Sequence, residues 1–214
     1  MSPRWGRRLG RSFFARPAEE LAPDLLGRVL VHVGASGRVA VRLTETEAYA
    51  GVGADPASHA HRGRTARNAV MFGPPGHLYV YFVYGMHWCA NVVCGPPGHA
   101  AAVLLRAGEV VEGVGLAAAR RPTSRGPADL ASGPARLAVA LGLDGADDGR
   151  DLCAAASPLR LLPGHPPADG DIRRGPRVGV ARGGQTRWRW WVVDDPTVSG
   201  YRPGRPAADR RGTA

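Results

Sequence analysis

The chain has 214 residues, with 28 basic side chains against 18 acidic ones and a formal net charge of +10. This surplus favours a polyanionic partner, nucleic acid before a membrane surface, unless the arginines simply reflect a GC-rich coding sequence. All 28 basic residues are arginine, which excludes Schiff-base chemistry on a lysine and a lysine-containing phosphate-binding loop. Three cysteines are too few and wrongly spaced for a disulfide framework or a CxxC metal site. No apolar run is long enough to span a membrane or to form a secretory signal, so we expect an intracellular protein.

In the first half of the chain the pattern predicts a helix, a hairpin, a loop and a third strand. Proline followed by two acidic residues predicts a helix that starts at Pro17. Strands are predicted over residues 25–33 and 38–47, and the Gly-Ala-Ser-Gly spacer between them predicts a hairpin. Glycine and proline then mark a long loop over residues 50–77, whose histidines, arginines and acids favour a functional role. The clearest strand of the chain follows at residues 78–84.

The second half alternates shorter strands and helices. The predicted strands cover residues 88–93, 101–106, 177–180 and 187–193, and the predicted helices cover residues 116–121 and 134–143. No internal repeat is present. We therefore expect one α+β domain over residues 18–201, preceded by a basic flexible arm (residues 1–17) and followed by a basic flexible tail (residues 202–214).

Two carboxylates end the second predicted strand. Glu45 and Glu47 are two residues apart, so their side chains should point to the same face of a strand. They could form a general acid/base pair, or a metal site with His59 or His61, or simply a solvated strand end. The histidine pair has no third ligand at a diagnostic spacing. The sequence alone leaves these readings open.

The predicted strand over residues 78–84 is rich in aromatic residues. Alternation places Leu78, Val80 and Phe82 on one face, where we expect the core, and Tyr79 and Tyr81 on the other. Tyrosines next to a basic loop fit a platform on which bases stack. Tyr84 precedes the glycine at which the strand must turn, so it is placed to protrude as a wedge that unstacks DNA.

The ordered set of motifs resembles the alkyladenine DNA glycosylases, also called 3-methyladenine or methylpurine DNA glycosylases. The resemblance covers about residues 18–195. Its motifs are Glu45-Thr46-Glu47-Ala48-Tyr49, Ala57-Ser58-His59-Ala60, Arg67-Asn68, Met71-Phe72, the run from Gly76 to Met86, Asn91, Val103-Leu104-Leu105-Arg106-Ala107, Ser132-Gly133-Pro134 and Arg177-Val178-Gly179-Val180.

The resemblance implies a single compact α+β domain around a curved, mainly antiparallel β-sheet with flanking helices and a protruding β-hairpin. It implies a monofunctional hydrolase of N-glycosyl bonds that flips damaged purines from duplex DNA and has no lyase activity. By position, Glu47 matches the catalytic base that activates water, and Arg106 matches the arginine that helps to hold that water. The base-binding residues are expected to be Tyr49, His59, Tyr81, Asn91 and, through its backbone, Val178. Tyr84 matches the DNA-intercalating residue.

The resemblance also implies that no metal and no cofactor is required, and that the partner is double-stranded DNA with damaged bases. We expect a monomer that is cytoplasmic and associated with a bacterial nucleoid. Two other readings compete. A non-catalytic nucleic-acid-binding module would explain the charge and the aromatic residues, and a metallo-nuclease would use His59, His61 and Glu45. The range of damaged bases, from 3-methyladenine to hypoxanthine or ethenoadenine, is not fixed by the sequence.

Overall fold

The computed structural model of the chain describes residues 5–83 and 85–204. Its helices are α1 (Arg11–Phe14), α2 (Ala18–Asp24), α3 (Val114–Arg120) and α4 (Pro134–Leu141). Its strands are β1 (Val29–Gly34), β2 (Gly37–Tyr49), β3 (Leu78–Val83), β4 (His87–Val93), β5 (Ala102–Glu112), β6 (Leu159–Leu162), β7 (Ile172–Gly175) and β8 (Arg189–Val192). In the described residues, no helix has the length and apolar character needed to cross a membrane.

All paired strands are antiparallel and lie in one curved sheet, in the order β3-β4-β5-β2-β1-β6. The long strand β2 organises it. One edge of β2 pairs with β5, while the other pairs first with β1 and then, beyond residue 44, with β8. β7 adds to β8. The predicted α+β architecture, with flanking helices and the β3–β4 hairpin, is confirmed.

The two faces of the sheet are covered differently. Val39, Val41 and Leu43 of β2 pack on one face into the main core, which also contains buried residues of α2 and α4. We call this the helix-covered face. The opposite face carries two smaller clusters, one around Tyr79 and Ala102 and one around Trp5 and Ala40. Tyr81, a candidate site residue, packs against the first of these clusters.

Irregular pairing between β2 and β5 sets the direction of the acidic side chains. The register shifts around Leu43, Glu45 and Thr46. Before the shift the odd-numbered residues of β2 face the main core, and after it the even-numbered Ala48 does. The two strands approach each other closely at this point, which requires a glycine at position 108, because a Cβ atom there would lie 2.4 Å from the carbonyl oxygen of Arg42. The shift therefore turns Glu47 to the opposite face.

Several element boundaries differ from the sequence-based prediction. Residues 25–28 form a turn that buries Leu25 and Leu26, so β1 begins only at Val29. The strand predicted over residues 177–180 is wrong, since this segment is a turn that follows β7. Phe82 is 44% exposed rather than part of the core, because it lies near the end of the β3–β4 hairpin, beyond the helix-covered core.

Parts of the predicted arm contact the domain. Phe14 of α1 is completely buried in the main core, and the backbone N–H of Leu9 donates to the carbonyl of Leu161 at 2.9 Å. At the other end, the N–H of Gly179 donates to the carbonyl of Arg202, while residues 205–214 lie outside the described residues. The boundaries of the arm and the tail stay predictions.

Candidate active site

The Glu47 carboxylate is completely buried yet hydrogen-bonded on both oxygens. The backbone N–H of Val178 donates to Oε1 at 2.7 Å, and the Tyr49 hydroxyl donates to Oε2 at 2.9 Å. Nη1 of Arg106 lies 3.3 Å from Oε2. A carboxylate offers about four acceptor positions, and donors among the described residues occupy three of them.

Arg106 is held in place by a second buried carboxylate. Its Nε donates to Oε1 of Glu45 at 3.0 Å, and its Nη2 donates to the Ser199 hydroxyl at 3.2 Å. Glu45 also accepts from Nε of Arg189 at 2.6 Å and from the backbone N–H of Ser199 at 2.8 Å. The guanidinium of Arg106 thus bridges the two carboxylates, and Glu45 fixes its orientation.

A separate buried ion pair, between Arg177 and Asp55, brings Val178 to Glu47. Arg177 and Asp55 are both at most 1% exposed at their side chains and form two hydrogen bonds, at 2.6 and 2.8 Å. Arg177 also donates to the carbonyl of Ala48 and lies over the Tyr49 ring, 4.6 Å from its centroid. The pair ties the loop after β2 to the turn that carries Val178. Both segments are therefore fixed beside Glu47.

An aromatic cleft opens next to Glu47 on the same face. It is lined by Tyr49, Ala57, His59, Met71, Tyr79, Tyr81 and Asn91. The His59 ring meets Tyr81 edge-on with centroids 4.6 Å apart, and Tyr79 stacks on Tyr81 at 5.4 Å. Nδ1 of His59 and the Tyr79 hydroxyl are 3.1 Å apart. These contacts give the cleft rigid aromatic walls.

Two asparagines organise the cleft. The side-chain amide of Asn68 donates to the carbonyl of His59 at 2.9 Å and to that of Gly63 at 3.0 Å. Asn68 thereby fixes the part of the long loop that presents the imidazole. Asn91 is 5% exposed and its amide donates to the carbonyl of Tyr79 at 3.2 Å, which orients it within the cleft lining.

Burial dominates the proton affinities of the site. Desolvation raises the pKa of Glu47 above its ordinary value, although Arg106, the Val178 N–H and the Tyr49 hydroxyl each pull it down. Burial also raises the pKa of Tyr49 far enough that its hydroxyl stays protonated and can donate. Partial exclusion of water, together with the charge of Arg67, lowers the pKa of His59. The site thus holds an acid with raised proton affinity beside a neutral imidazole.

The structure bears on the alternative readings of the acidic pair. The interpretation as a solvated strand end is wrong, because Glu45 and Glu47 are both completely buried. For a metal site, the carboxylate of Glu45 is already engaged by Arg106, Arg189 and the Ser199 N–H. Among the described residues, no group of three or more His, Cys, Asp or Glu side chains is placed to hold a metal ion.

Seven of the eight residues that the sequence singled out as site residues lie around this cleft and its carboxylate. They are Glu47, Arg106, Tyr49, His59, Tyr81, Asn91 and Val178. Tyr84 lies outside the described residues. The sequence did not assign Asp55, Arg177 or Arg189 to the site. Each is a charged residue separated from its partner by more than 100 positions, so no local pattern could have paired them.

Comparisons with known proteins agree with one another. The profile of the family described as methylpurine-DNA glycosylase matches residues 12–196. A protein of Streptomyces avermitilis is 58% identical over 204 residues, which cover 94% of this chain and 95% of its own length. Proteins of Leifsonia xyli and Burkholderia lata are 53% and 49% identical, covering 90% and 93% of this chain and 92% and 95% of their own lengths. All three carry the name "Putative 3-methyladenine DNA glycosylase".

We expect the buried Asp55–Arg177 ion pair to contribute strongly to the free energy of unfolding. Asp55→Asn leaves a buried guanidinium without its counter-charge and should lower the free energy of unfolding by about 3 kcal/mol. Asp24→Asn is the matched control, because the Asp24 side chain is 49% exposed in its ion pair with Arg16 and should contribute less than about 1 kcal/mol. Urea unfolding of both variants measures this. Equal, small losses would contradict a structural role for the pair.

Proposed function

The chain belongs to the methylpurine-DNA glycosylase family, and we propose that it is a monofunctional glycosylase whose base is Glu47. Family membership supports a DNA substrate and hydrolysis of N-glycosyl bonds. The finer proposal is that the protein flips alkylated or deaminated purines out of the duplex and starts base excision repair. The observation that carries it is a buried carboxylate that accepts from three donors among the described residues and lies beside an aromatic cleft.

Flipping a base requires a cleft that binds the base and a side chain that occupies the position it leaves in the duplex. Rotating a nucleotide out of the stack costs about a few kcal/mol. We propose that Tyr84 offsets this cost by occupying the vacated position, while arginines hold the flanking phosphates. In the cleft, an electron-poor alkylated purine would stack between Tyr49 and the Tyr81–His59 wall, with a cation–π gain of about 0.5–2 kcal/mol.

Specificity would come from the edges of the cleft. The carbonyl of His59 is engaged by Asn68, so we assign the backbone N–H of His59 to the Hoogsteen-side edge of the purine. Asn91 lines the cleft with its amide held on Tyr79, where it would disfavour a purine with an exocyclic N2 amino group. Both roles are proposals taken from matching positions in the family.

The chemical step follows from the hydrogen bonds of Glu47. A water hydrogen-bonded to Glu47 would give a proton to the carboxylate as the water oxygen bonds to C1′ of the deoxyribose. The N-glycosidic bond breaks with its electrons going to the base, and an already cationic alkylated purine leaves neutral. The sugar passes through an oxocarbenium-like state that the carboxylate stabilises. The chain has no lysine side chain that could form a Schiff base with the sugar, which supports hydrolysis by water without strand cleavage.

Glu47→Gln tests the base directly. The amide keeps the shape but cannot take the proton, so single-turnover release of 3-methyladenine from methylated duplex DNA should fall by about 10²–10⁴-fold. Binding to a duplex with an abasic-site analogue should persist. Glu20→Gln, at an exposed position of α2, is the control and should retain full activity. Undiminished excision by Glu47→Gln would remove Glu47 from the catalytic role, and binding without excision by the unaltered protein would favour a non-catalytic module.

Tyr49→Phe tests the hydroxyl that donates to Glu47. Only the ionised carboxylate can act as a base, so activity on a cationic lesion should fall as the pH drops through the raised pKa of Glu47. Loss of the hydroxyl removes an interaction that favours the charged form, so this acid limb should move to higher pH by about one unit. The pH profile of single-turnover excision measures the shift, with Tyr201→Phe as control. An unmoved acid limb would contradict the assignment.

Tyr84→Ser tests the proposed wedge. Stacking by an aromatic ring contributes about 1–3 kcal/mol per base, so affinity for a duplex with an abasic-site analogue should drop about tenfold or more. The melting temperature should change little. Tyr201→Ser, which truncates a half-exposed tyrosine whose ring lies 5.9 Å from the Arg189 guanidinium, provides the comparison in the same binding assay. Equal affinity of Tyr84→Ser and the unaltered protein would count against intercalation.

A further inference from the structure

A second cavity, which we call the Trp5 pocket, lies away from Glu47. It has a volume of about 530 Å³ and is lined by Trp5, Arg7, Arg8, Arg38, Glu112 and Arg160, with smaller contributions from neighbouring residues. Trp5 is 8% exposed and packs on Val29, Val31 and Ala40, so it forms part of the floor rather than a stacking platform. Four guanidinium groups thus surround a cavity whose lining contains one carboxylate.

Glu112 neutralises only part of this charge. It lies 3.2 Å from Nε of Arg38, which also stands over the Trp5 ring at 5.9 Å. Arg8 is held through its Nη2 by the backbone carbonyls of Ala155 and Ser157, which orient it without neutralising it. Nη1 of Arg8 is buried and has no hydrogen-bond acceptor among the described residues, whereas Nε of Arg38 has the Glu112 carboxylate as its ion-pair partner. Donors that are buried and unsatisfied favour an incoming acceptor.

The arginines also repel one another. Burial and then the charges of Arg38 and Arg8 lower the pKa of Arg160, against the opposite pull of Glu112. Holding like charges together costs free energy that an anion in the cavity would recover. The planar forks of several arginines suit the tetrahedral oxygens of a phosphate group. The cavity is therefore built for a small anionic group.

The pocket and the catalytic carboxylate share the same face of the sheet. Arg38 and Ala40 alternate with Val39 and Val41, which point into the main core, so Arg38 faces the Trp5 cluster. After the register shift, Glu47 points to that same side. Glu47 follows Arg38 by nine positions along β2, so at ~3.3 Å per residue the two sites lie at most about 30 Å apart, and closer where the strand curves. Phosphates follow one another every ~3.4 Å of duplex axis, so this span corresponds to at most about nine base pairs.

We propose that the Trp5 pocket binds a backbone phosphate of the duplex up to about nine base pairs from the flipped nucleotide. The inference rests on the proposed function, because it requires that a damaged duplex lies across this face. The pocket would be a second anchor, meaning a contact to the DNA backbone that does not read the base sequence. It would extend the length of duplex that the protein contacts. The pocket then contributes to affinity for long duplexes and not to excision itself.

The experiment compares duplexes with a central abasic-site analogue and arms of five or fourteen base pairs. Arg38→Ala/Arg160→Ala is the test variant. The unaltered protein should bind the long duplex about tenfold more tightly than the short one near 0.1 M salt, and the variant should lose this gain. The slope of log K against log salt on the long duplex should become shallower by about 1–2. The melting temperature of the variant should change little, because the lost Arg38–Glu112 ion pair is more than a third exposed and its loss is offset by the removal of mutually repelling charges.

The matched control is Arg173→Ala/Arg187→Ala, which removes the same charge from exposed positions next to the β7–β8 pair. It should keep the dependence on arm length. Equal loss in both double variants would overturn the pocket in favour of a general charge effect. Calorimetry with inorganic pyrophosphate tests for a different occupant of the pocket. If the unaltered protein binds pyrophosphate, the Arg38→Ala/Arg160→Ala variant does not, and the variant keeps the dependence on arm length, DNA is overturned as the occupant.

Excision from the short duplex keeps this inference separate from the proposed function. The Arg38→Ala/Arg160→Ala variant should excise an alkylated purine from the short duplex at the unaltered rate. If the unaltered protein excises but gains no affinity from the longer arms, the second anchor is wrong while the glycosylase proposal stands. If the unaltered protein excises from neither duplex, the proposed function itself fails.

Discussion

Burial of the Glu47 carboxylate away from water is the constraint on which the rest of the site depends. An isolated charge at such a position would be neutralised or would destabilise the fold. Here three buried carboxylates, Glu45, Glu47 and Asp55, are matched by three buried guanidinium groups, Arg106, Arg177 and Arg189. The network is electrically balanced, yet desolvation still raises the pKa of Glu47. The Glu47 carboxylate is therefore charge-balanced by Arg106 and still has a raised affinity for a proton.

The same network connects segments that are far apart in the chain. β2 supplies Glu45 and Glu47, β5 supplies Arg106 and β8 supplies Arg189. The turn after β7 and the segment around Ser199 add backbone N–H donors. Each donor is fixed by its own strand or ion pair, so little reorganisation is needed when a substrate binds. Preorganised donors of this kind are what stabilise charge that develops during a reaction.

The sequence predicted the fold class, the first hairpin and most of the elements because these depend on local periodicity and turn residues. It also identified the residues that surround Glu47, but only through a resemblance carried by motifs spread over the whole chain. It could not predict that Glu45 anchors Arg106, because a two-residue spacing is equally compatible with an acid/base pair. Nor could it pair Asp55 with Arg177, because the two residues are 122 positions apart. It also could not show that residues 177–180 form a turn whose N–H donates to Glu47, because short apolar segments that contain glycine occur both in strands and in turns.

The most direct measurement is a crystal structure of the protein with a duplex that carries a non-cleavable damaged purine nucleotide. The account predicts the purine between Tyr49 and the Tyr81–His59 wall, and a water within about 2.6–3.2 Å of a Glu47 oxygen on the side of C1′. The Val178, Tyr49 and Arg106 contacts to the carboxylate should persist. A purine that remains stacked in the duplex, or a Glu47 carboxylate with no water between it and the sugar, would contradict the account.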